Sequence, residues 1–485
     1  MLCLTGNERT LADVSERMSA ARGRLEGDVL HELRLDALAR LDDEVTGFVE
    51  RHAGELLVAC RPVRQGGAFA GDEGERLGLL ARVASRGPRW LDVEGDVDDA
   101  ALVTKARVAG TKLLASWHEL AQLPPDLEDR ARTLRRHRPD AVKLAVSVDD
   151  VAELVPLFAA ARATELPFVA VGMGRAGLLS RTHYASLGSL WTYVAADAAK
   201  STAPGQLTLE EALAMNLPES ARAPCYALVG GAQIFESPGR RIYNALFRRR
   251  GLASSYVPVV ARSLEKALPI LRQANARGLS VTMPLKQEAL PLCEPDLVAR
   301  EAFAVNSLSF DGGRWLGSNT DVAGVRAPIA DLPGFAGLSR MLILGAGGAA
   351  RAARVAARQL GLTVAVCARR SDEAREVAGP GGAYCTFDER HELGARAVQD
   401  GTALRTVLVN ATPLSGDETP WPSDAPLPAR LVFDTALGER RSSLLERARA
   451  EGAAVIPPQA MWRAQGAAQM SWFLGEPVAR EELEE

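Results

Sequence analysis

A glycine-rich turn late in the chain joins an apolar run to an alanine-rich segment. Residues 341–344 read MLIL, the turn reads GAGG, and residues 349–360 have a helical pattern. Gly345 permits a sharp turn, Gly347 lets backbone N–H groups approach a pyrophosphate, and the small Ala350 lets the helix pack against the strand. The helix N-terminus adds unpaired N–H donors and a positive dipole end. This order predicts a dinucleotide-binding unit whose cofactor contacts are Gly345, Ala346, Gly347, Gly348, Ala349 and Ala350.

The part of the chain before this turn is long enough for further domains. The whole chain has 485 residues, enough for about three domains. Between residues 1 and 215, short apolar runs begin near positions 2, 29, 56, 90, 111, 141, 168 and 190, with amphipathic stretches between them. Eight such units predict an α/β fold of the (β/α)8 TIM barrel type, in which catalytic groups lie at the carboxyl ends of the strands.

The remaining sequence divides into a linker and a second α/β series. The segment MNLPESARAP has two prolines and no periodicity, which predicts a linker at 216–224. We expect a substrate domain at 225–330, the nucleotide-binding domain at 331–455, and a C-terminal helical segment at 456–485 that returns to the substrate domain.

Composition narrows the class of protein. The net charge of -4 gives no electrostatic argument for nucleic-acid binding, and no stretch approaches the apolar length of a membrane span. The N-terminus lacks the pattern of a secretory signal, so we expect a cytoplasmic protein. We also expect small-molecule substrates as partners, with no nucleic acid and no membrane, and a monomer or homodimer. The six cysteines have no CxxC spacing, and no metal site is expected.

The end of the second strand of the nucleotide unit predicts the cofactor. A unit that prefers NAD places an acidic residue there, whereas this chain has Arg369 and Arg370. Guanidinium groups suit a 2′-phosphate by charge and by bidentate geometry, which favours NADP(H). The alternative is an ordinary solvated arginine pair.

Two pairs of residues have the chemistry of proton transfer. Lys286 and Asp321 each follow a strand-like run, with Asn306 between them. An ammonium beside a carboxylate can move a proton at an alcohol oxygen while hydride passes to or from a nicotinamide, although a surface salt bridge is the simpler interpretation.

In the predicted barrel, His118 follows the fifth strand and Lys143 lies in the sixth. A neutral lysine amine can attack a ketone to give an imine, and a nearby histidine can remove the acidified proton. Alternatively, His118 caps a helix and Lys143 extends to the surface. Only six of the 57 basic residues are lysines, so a lysine inside a strand favours the chemical interpretation.

The second half of the chain resembles the shikimate dehydrogenase family. The segments SVTMPLKQEA, AVNSL, GSNTD, GAGGAAR, VNATPLSG and MWRAQGAAQMSWFLG occur in that family's order across residues 225–475. The resemblance implies an NADP-dependent enzyme with a substrate domain and a Rossmann domain. It implies a catalytic pair of Lys286 and Asp321, substrate contacts from Ser237, Asn306 and Gln465, and cofactor contacts from Arg369, Arg370, Asn410, Ala411 and Thr412.

The first half resembles type I 3-dehydroquinate dehydratase, a Schiff-base lyase with a (β/α)8 fold. The segments are HELRLD, ACRPVRQGG, LDVE, ASWHEL, VKLAV, MGRAGLLSR and KSTAPGQ, within residues 1–215. The resemblance implies that Lys143 forms the imine and that His118 is the general acid and base. It also implies a substrate site of Glu32, Arg34, Arg61, Arg181, Thr202 and Gln206.

Three residues depart from these family patterns. Phe235 stands where a serine that binds substrate belongs, although Ser237 is kept, and Leu437 replaces a tyrosine. Gln65 stands where the dehydratases have a glutamate that orients the histidine; an amide keeps the hydrogen bond but not the charge. We expect a slower dehydratase and a changed substrate affinity in the dehydrogenase.

The two resemblances together predict a bifunctional enzyme. It would dehydrate 3-dehydroquinate through an imine on Lys143 and reduce the product, 3-dehydroshikimate, with NADPH. One alternative is a metabolite-binding regulator with degenerate enzyme domains, which Phe235, Leu437 and Gln65 favour and the retained catalytic residues oppose. Another is an enzyme acting on quinate or an amino-substituted analogue.

Overall fold

A computed structural model describes residues 1–25, 27–414, 418–436 and 442–484, so Leu437 lies outside the described residues. The chain divides into two compact units, Met1–Ala276 and Arg277–Glu485. The finer domain boundaries expected from the sequence stay predictions.

The first unit begins with a curled sheet in which the eight predicted strands follow one another. All neighbouring strands are parallel, in the order β7-β6-β5-β4-β3-β2-β1-β8. The backbone N–H of Leu190, just before β8, donates to the carbonyl oxygen of Phe168 at the start of β7 (2.9 Å), which brings the two ends of the sheet together. The TIM-barrel fold is confirmed. The strands are β1 (Leu2–Thr5), β2 (Val29–Arg34), β3 (Leu56–Ala59), β4 (Trp90–Glu94), β5 (Lys112–Glu119), β6 (Ala141–Ser147), β7 (Phe168–Met173) and β8 (Thr192–Ala195), and a short β9 (Leu207–Thr208) pairs with β8.

Helices cover the outside of this sheet. Asp42, Asp72 and Asp99 accept backbone N–H groups at the starts of three of them, as N-caps do. The helices are α1 (Leu11–Arg22), α2 (Asp43–Arg51), α3 (Glu73–Ala84), α4 (Ala100–Val108), α5 (Leu127–Thr133), α6 (Leu154–Ala163), α7 (Leu178–Thr182) and α8 (Leu209–Ala214).

The barrel interior is apolar at the amino ends of the strands and polar towards the carboxyl ends. Residues two apart on a strand share a face, so Trp90, Asp92 and Glu94 of β4 all point the same way. The Trp90 ring packs against Trp191, with ring centroids 5.2 Å apart, and fills the amino end. The carboxylates that follow Trp90 lie further along the strand, which places ionic groups at the end where barrels carry their sites.

The rest of the first unit packs against the carboxyl-end loops of the barrel. Its elements are β10 (Cys225–Gly230), α9 (Gly239–Arg249), β11 (Ser255–Val260) and α10 (Leu264–Gln273), with β10 and β11 parallel. Arg262 donates its backbone N–H to the Asp150 carboxylate (2.7 Å), and the Arg175 guanidinium lies 5.1 Å from the Phe235 ring centre. Helix α7 contacts β11. Residues 225–276 therefore group with the barrel.

The second unit begins with an antiparallel arrangement. Strand β12 (Ala276–Val281) pairs with β14 (Ser307–Asp311), which pairs with β15 (Arg314–Ser318). The short β13 (Glu294–Pro295) runs parallel to β15. Helix α11 (Leu297–Ala302) and helix α12 (Asp321–Ala330) follow, and α12 packs against the C-terminal helix.

A parallel sheet in the order β18-β17-β16-β19-β20-β21 completes the second unit, as expected for the Rossmann fold. Its strands are β16 (Arg340–Leu344), β17 (Thr363–Ala368), β18 (Ala383–Thr386), β19 (Thr406–Asn410), β20 (Leu431–Asp434) and β21 (Ala454–Ile456). Its helices are α13 (Gly348–Gln359), α14 (Ser371–Ala378), α15 (Arg390–Gln399), α16 (Ser443–Ala450) and α17 (Pro458–Leu474).

Candidate active sites

The barrel holds a cavity at the carboxyl ends of its strands. About 610 Å³ of this space is free of protein atoms, including some open to solvent. Every residue predicted for the lyase site lines it, although these side chains come from strands and loops far apart in sequence. Those residues are Glu32, Arg34, Arg61, His118, Lys143, Arg181, Thr202 and Gln206.

Lys143 points into the barrel. Lys143 is 5% exposed, and its Nζ lies 3.2 Å from Asp92 Oδ2 and 4.4 Å from the Tyr193 ring centre. Strand pairing places Ser116 beside Lys143 and His118 beside Ala145, so lysine and histidine share the interior face. Lys143 therefore does not extend to the outer surface of the barrel, which was the alternative interpretation.

An ionic network lies beneath the lysine. Arg61 donates to Asp92 Oδ2 and to Glu94 Oε1, each at 2.7 Å, and Arg76 donates to Glu94 Oε2 at 2.6 Å. Burial opposes ionisation, yet the charges of Arg61 and Lys143 hold the pKa of Asp92 well below its usual range. Arg61 is therefore already neutralised by carboxylates and orients Asp92 towards the lysine.

Arg181 differs from Arg61 because no acidic side chain among the described residues pairs with it. It is 1% exposed, its Nε has no hydrogen-bond partner among the described residues, and one terminal N–H group donates to the Pro204 carbonyl oxygen at 3.3 Å. Burial lowers the pKa of Arg181 to about 10, so the side chain still carries its charge at neutral pH. A buried, unpaired guanidinium facing a cavity is a site for an anion.

His118 contacts the residue that departs from the family pattern. Its Nδ1 lies 3.3 Å from Gln65 Oε1. Because an amide oxygen only accepts, this contact favours a proton on Nδ1 and leaves Nε2 free to accept one. Burial, with the nearby charges of Arg61 and Lys143, holds the pKa of His118 well below its usual value, so the ring is neutral at neutral pH.

A loop closes one side of the cavity. Gln206 Oε1 accepts the backbone N–H of Thr202 (2.8 Å) and approaches the Thr202 hydroxyl (3.2 Å), so the two predicted substrate residues hold each other. Gly174 donates its N–H to Pro204 in the same loop (3.0 Å). A Cβ on Gly205 would lie 2.4 Å from the Gly174 carbonyl oxygen, so this close approach requires glycine.

The second unit brings together the other predicted proton-transfer residues. Lys286 Nζ lies 2.6 Å from Asp321 Oδ2, and Asn306 donates to Asp321 Oδ1 at 2.8 Å. The Lys286 side chain keeps 21% of its surface exposed and that of Asp321 10%, so this pair lies at the edge of the protein interior rather than on an open surface. Thr320, just before Asp321, approaches Gln465 Oε1 at 3.4 Å.

The glycine-rich turn lies next to this lysine. Gly345 has φ +105°, and a Cβ there would lie 3.0 Å from the Ala411 carbonyl oxygen. A Cβ on Gly347 would meet nothing within 4 Å, which leaves room for a phosphate, and a Cβ on Gly348 would lie 3.8 Å from Lys286 Cδ. The turn thus fits the pyrophosphate of a dinucleotide and lies close to the Lys286 side chain.

The remaining predicted cofactor residues have different surroundings. Arg369 is exposed, whereas Arg370 pairs with Glu373 of the next helix turn. The Asn410 amide is buried and bonds Leu414, Asp434 and Thr412, so it shapes its loop. A direct contact of Asn410, Ala411 or Thr412 with the cofactor stays a prediction.

Ser237 and Phe235 lie in the first unit, before α9. Ser237 Oγ accepts the Gly239 N–H at 3.3 Å. The Phe235 ring is half-buried and faces Arg175 of the barrel. This contact gives Phe235 a packing role that the sequence did not indicate.

Sequence reasoning missed several residues of both sites. Asp92 and Tyr193 contact Lys143, and Gln469 contacts the strand that carries Ser307. Asp92 left a signal, since a carboxylate at an inward position of an otherwise apolar strand needs a partner. No comparable signal marks Gln469.

The described residues contain neither a membrane-spanning helix nor a cluster of metal ligands. None of their helices is both long and apolar enough to cross a bilayer. No group of three or more histidine, cysteine or acidic side chains among them is arranged to hold a metal ion.

Known proteins match both parts of the chain. A family model described as type I 3-dehydroquinase matches residues 2–216, and one described as shikimate dehydrogenase substrate binding domain matches residues 229–308. The chain is 27% identical to the chloroplastic bifunctional 3-dehydroquinate dehydratase/shikimate dehydrogenase of Arabidopsis thaliana over 485 residues, covering 94% of this chain and 79% of that protein. It is 34% identical to the shikimate dehydrogenase (NADP(+)) of Anaeromyxobacter dehalogenans (54% of this chain, 95% of that protein). It is 32% identical to the 3-dehydroquinate dehydratase of Desulfotalea psychrophila (43% and 94%).

Proposed function

Because this chain belongs to the type I 3-dehydroquinase family over its first part and to the shikimate dehydrogenase family over its second, we propose that it catalyses two consecutive reactions. The first dehydrates 3-dehydroquinate to 3-dehydroshikimate, and the second reduces that ketone to shikimate. The observation that carries the proposal is the barrel cavity, where a lysine amine and a neutral imidazole lie with a buried, unpaired guanidinium.

In the dehydratase, the Lys143 amine attacks the substrate ketone, and water leaves as the imine forms. The imine acidifies the neighbouring C–H, whose proton passes to Nε2 of His118. The same imidazolium then protonates the departing hydroxyl group, so a second water leaves and the C=C bond forms. Hydrolysis of the imine releases the product. Arg181 binds the substrate carboxylate, and Asp92 orients the lysine between these steps.

In the dehydrogenase, Lys286 donates a proton to the ketone oxygen as the carbon receives hydride, and Asp321 orients the lysine through its 2.6 Å contact. NADPH supplies the hydride when bound. Gly345 and Gly347 suit its pyrophosphate, and Arg369 suits the 2′-phosphate, since this arginine is exposed at the end of β17. Asn306 and Gln465 hold the substrate, and the contact of Ser237 with it stays a prediction from the sequence.

The proposal includes NADP(H) as cofactor and small-molecule substrates as partners, with no nucleic acid and no membrane. We place the chain in the cytoplasm, as a monomer or homodimer. The relatives that are named for NADP(+) use support the choice of cofactor.

A coupled assay tests the proposal. With 3-dehydroquinate and NADPH, the nicotinamide absorbance should fall; with 3-dehydroshikimate and NADPH, it should fall without the first step. Borohydride with 3-dehydroquinate should attach the substrate skeleton to Lys143, and Lys143→Met should abolish attachment and the first reaction only. The exposed Lys105→Met is the matched control. Binding of either ketone without turnover would instead indicate a metabolite-binding regulator, and turnover of quinate or an amino analogue alone would indicate an altered substrate.

A further inference from the structure

A buried glutamine ties the C-terminal helix to the strands beneath the dehydrogenase centre. Gln469 of α17 is 2% exposed. Its Oε1 accepts the Ser280 hydroxyl of β12 at 2.6 Å, and its Nε2 donates to Ser307 Oγ of β14 at 2.6 Å. The same Nε2 also lies 3.3 Å from the Asn306 carbonyl oxygen. One side chain therefore joins a helix to two strands.

The hydrogen bonds continue in one direction to the reacting groups. Ser307 donates its hydroxyl to Asn306 Oδ1 at 2.7 Å, and Asn306 Nδ2 donates to Asp321 Oδ1 at 2.8 Å. A serine hydroxyl has one proton, so accepting from Gln469 is compatible with giving that proton to Asn306. The Thr320 backbone N–H donates to the same Asn306 oxygen at 2.8 Å, which supports the same orientation of the amide.

The glutamine also sets the position of a predicted substrate contact. Gln465 lies one helical turn before Gln469 on α17, so both side chains project from the same side of the helix. A Cβ on Gly324 of α12 would lie 2.9 Å from Gln465 Cβ, which shows how closely the two helices pack there. Rotation of α17 about its axis would displace Gln465, and the bonds of Gln469 to β12 and β14 oppose that rotation.

A polar side chain at this position is not what packing alone would select. Burying an amide costs free energy unless its hydrogen bonds are made, and its neighbours on α17 include the buried Met470 and Phe473. We propose that Gln469 is a positioning residue of the dehydrogenase: it orients Asn306 and Gln465 towards the substrate. This inference rests on the proposed reduction of 3-dehydroshikimate.

Two substitutions separate positioning from simple packing. Gln469→Met keeps the volume and removes both hydrogen-bonding groups. Gln469→Glu keeps the shape and an acceptor for Ser280, but its carboxylate draws the Ser307 proton away from Asn306. Both should lower kcat/KM for 3-dehydroshikimate about tenfold, the effect of one lost hydrogen bond, while the KM for NADPH changes less than about twofold. Gln399→Met, at an exposed glutamine of α15, is the matched control.

The dehydratase activity of the same chain and a substitution of Ser307 serve as further controls. Dehydratase activity should stay at the wild-type level in each variant, and Ser307→Ala should give the same substrate-selective loss, which a combined variant should not increase in proportion. If Gln469→Met does not fold, Ser307→Ala alone distinguishes positioning from packing. Wild-type rates for Gln469→Glu, equal changes for ketone and NADPH, or additive losses would overturn the inference. An inactive wild-type dehydrogenase would instead overturn the proposed function.

Discussion

The glutamine beside the barrel histidine gives the sharpest test of the dehydratase mechanism. In Gln65→Glu, a carboxylate oxygen would take the place of Oε1, 3.3 Å from His118 Nδ1. An opposite charge at that distance raises the pKa of an imidazole by about 1–3 units. Burial and the charges of Arg61 and Lys143 now hold the pKa of His118 well below its usual value, so the exchange moves it back towards neutrality.

A more basic His118 removes the substrate proton faster. If about half of the pKa change is expressed in the rate of proton transfer, the dehydration should become about 3- to 30-fold faster at neutral pH. The rate should also begin to fall at a higher pH on the acid side than in the wild type, because His118 now takes up a proton earlier as the pH decreases.

The assay follows the appearance of the conjugated ketone at several pH values. Reduction of 3-dehydroshikimate by the same chain is the internal control and should not change. Gln65→Leu, which removes the acceptor of the Nδ1 proton, should be slower than the wild type. An unchanged rate and acid limb in Gln65→Glu, together with wild-type activity in Gln65→Leu, would refute a role for this residue in orienting His118.

Three further substitutions have defined outcomes. Gly345→Ala places a Cβ 3.0 Å from a carbonyl oxygen at φ +105°, which costs about 1–3 kcal/mol; the KM for NADPH should rise tenfold or more with the dehydratase rate unchanged, and an unchanged KM contradicts the role of the turn. Arg369→Ala should raise the KM for NADPH about tenfold and leave that for NADH unaltered, so equal effects on both would exclude recognition of the 2′-phosphate. Burial, aided by Arg17, lowers the pKa of His31 from 6.5 to about 4, so the unfolded chain takes up a proton first and stability falls as the pH drops through this window. Between pH 7 and 4, urea unfolding should show that the free energy of unfolding falls about 3 kcal/mol less in His31→Leu than in the wild type. If both proteins lose the same free energy of unfolding over this range, His31 is not the cause of the loss.

The sequence predicted the elements that depend on local pattern. Buried strands of a barrel are short apolar runs between turns, so the sequence shows all eight strands, with His118 near the end of β5 and Lys143 inside β6. Whether an arginine is paired with carboxylates depends on neighbours that are distant in sequence. Arg61 and Arg181 look alike along the chain, yet Arg61 is neutralised by two carboxylates and Arg181 by none among the described residues.

The sequence also did not predict which residues of a helix contact the neighbouring strands. The C-terminal helix is largely enclosed, so its pattern does not indicate which glutamine reaches a strand. Phe235 was interpreted as a substituted substrate residue because only its position in a family pattern was visible, and its packing on Arg175 required the fold.

The contacts between the barrel loops and residues 225–276 have a consequence for dividing the gene. A fragment ending at residue 215 would lose the Arg262 amide that donates to Asp150, and it would uncover the side of α7 that contacts β11. Helix α7 carries Arg181, so the loss of these contacts from the fragment would also disturb the anion site at Arg181. A barrel that is exchanged for another should therefore be moved together with residues 225–276, because these residues contact the loops at the carboxyl ends of its strands.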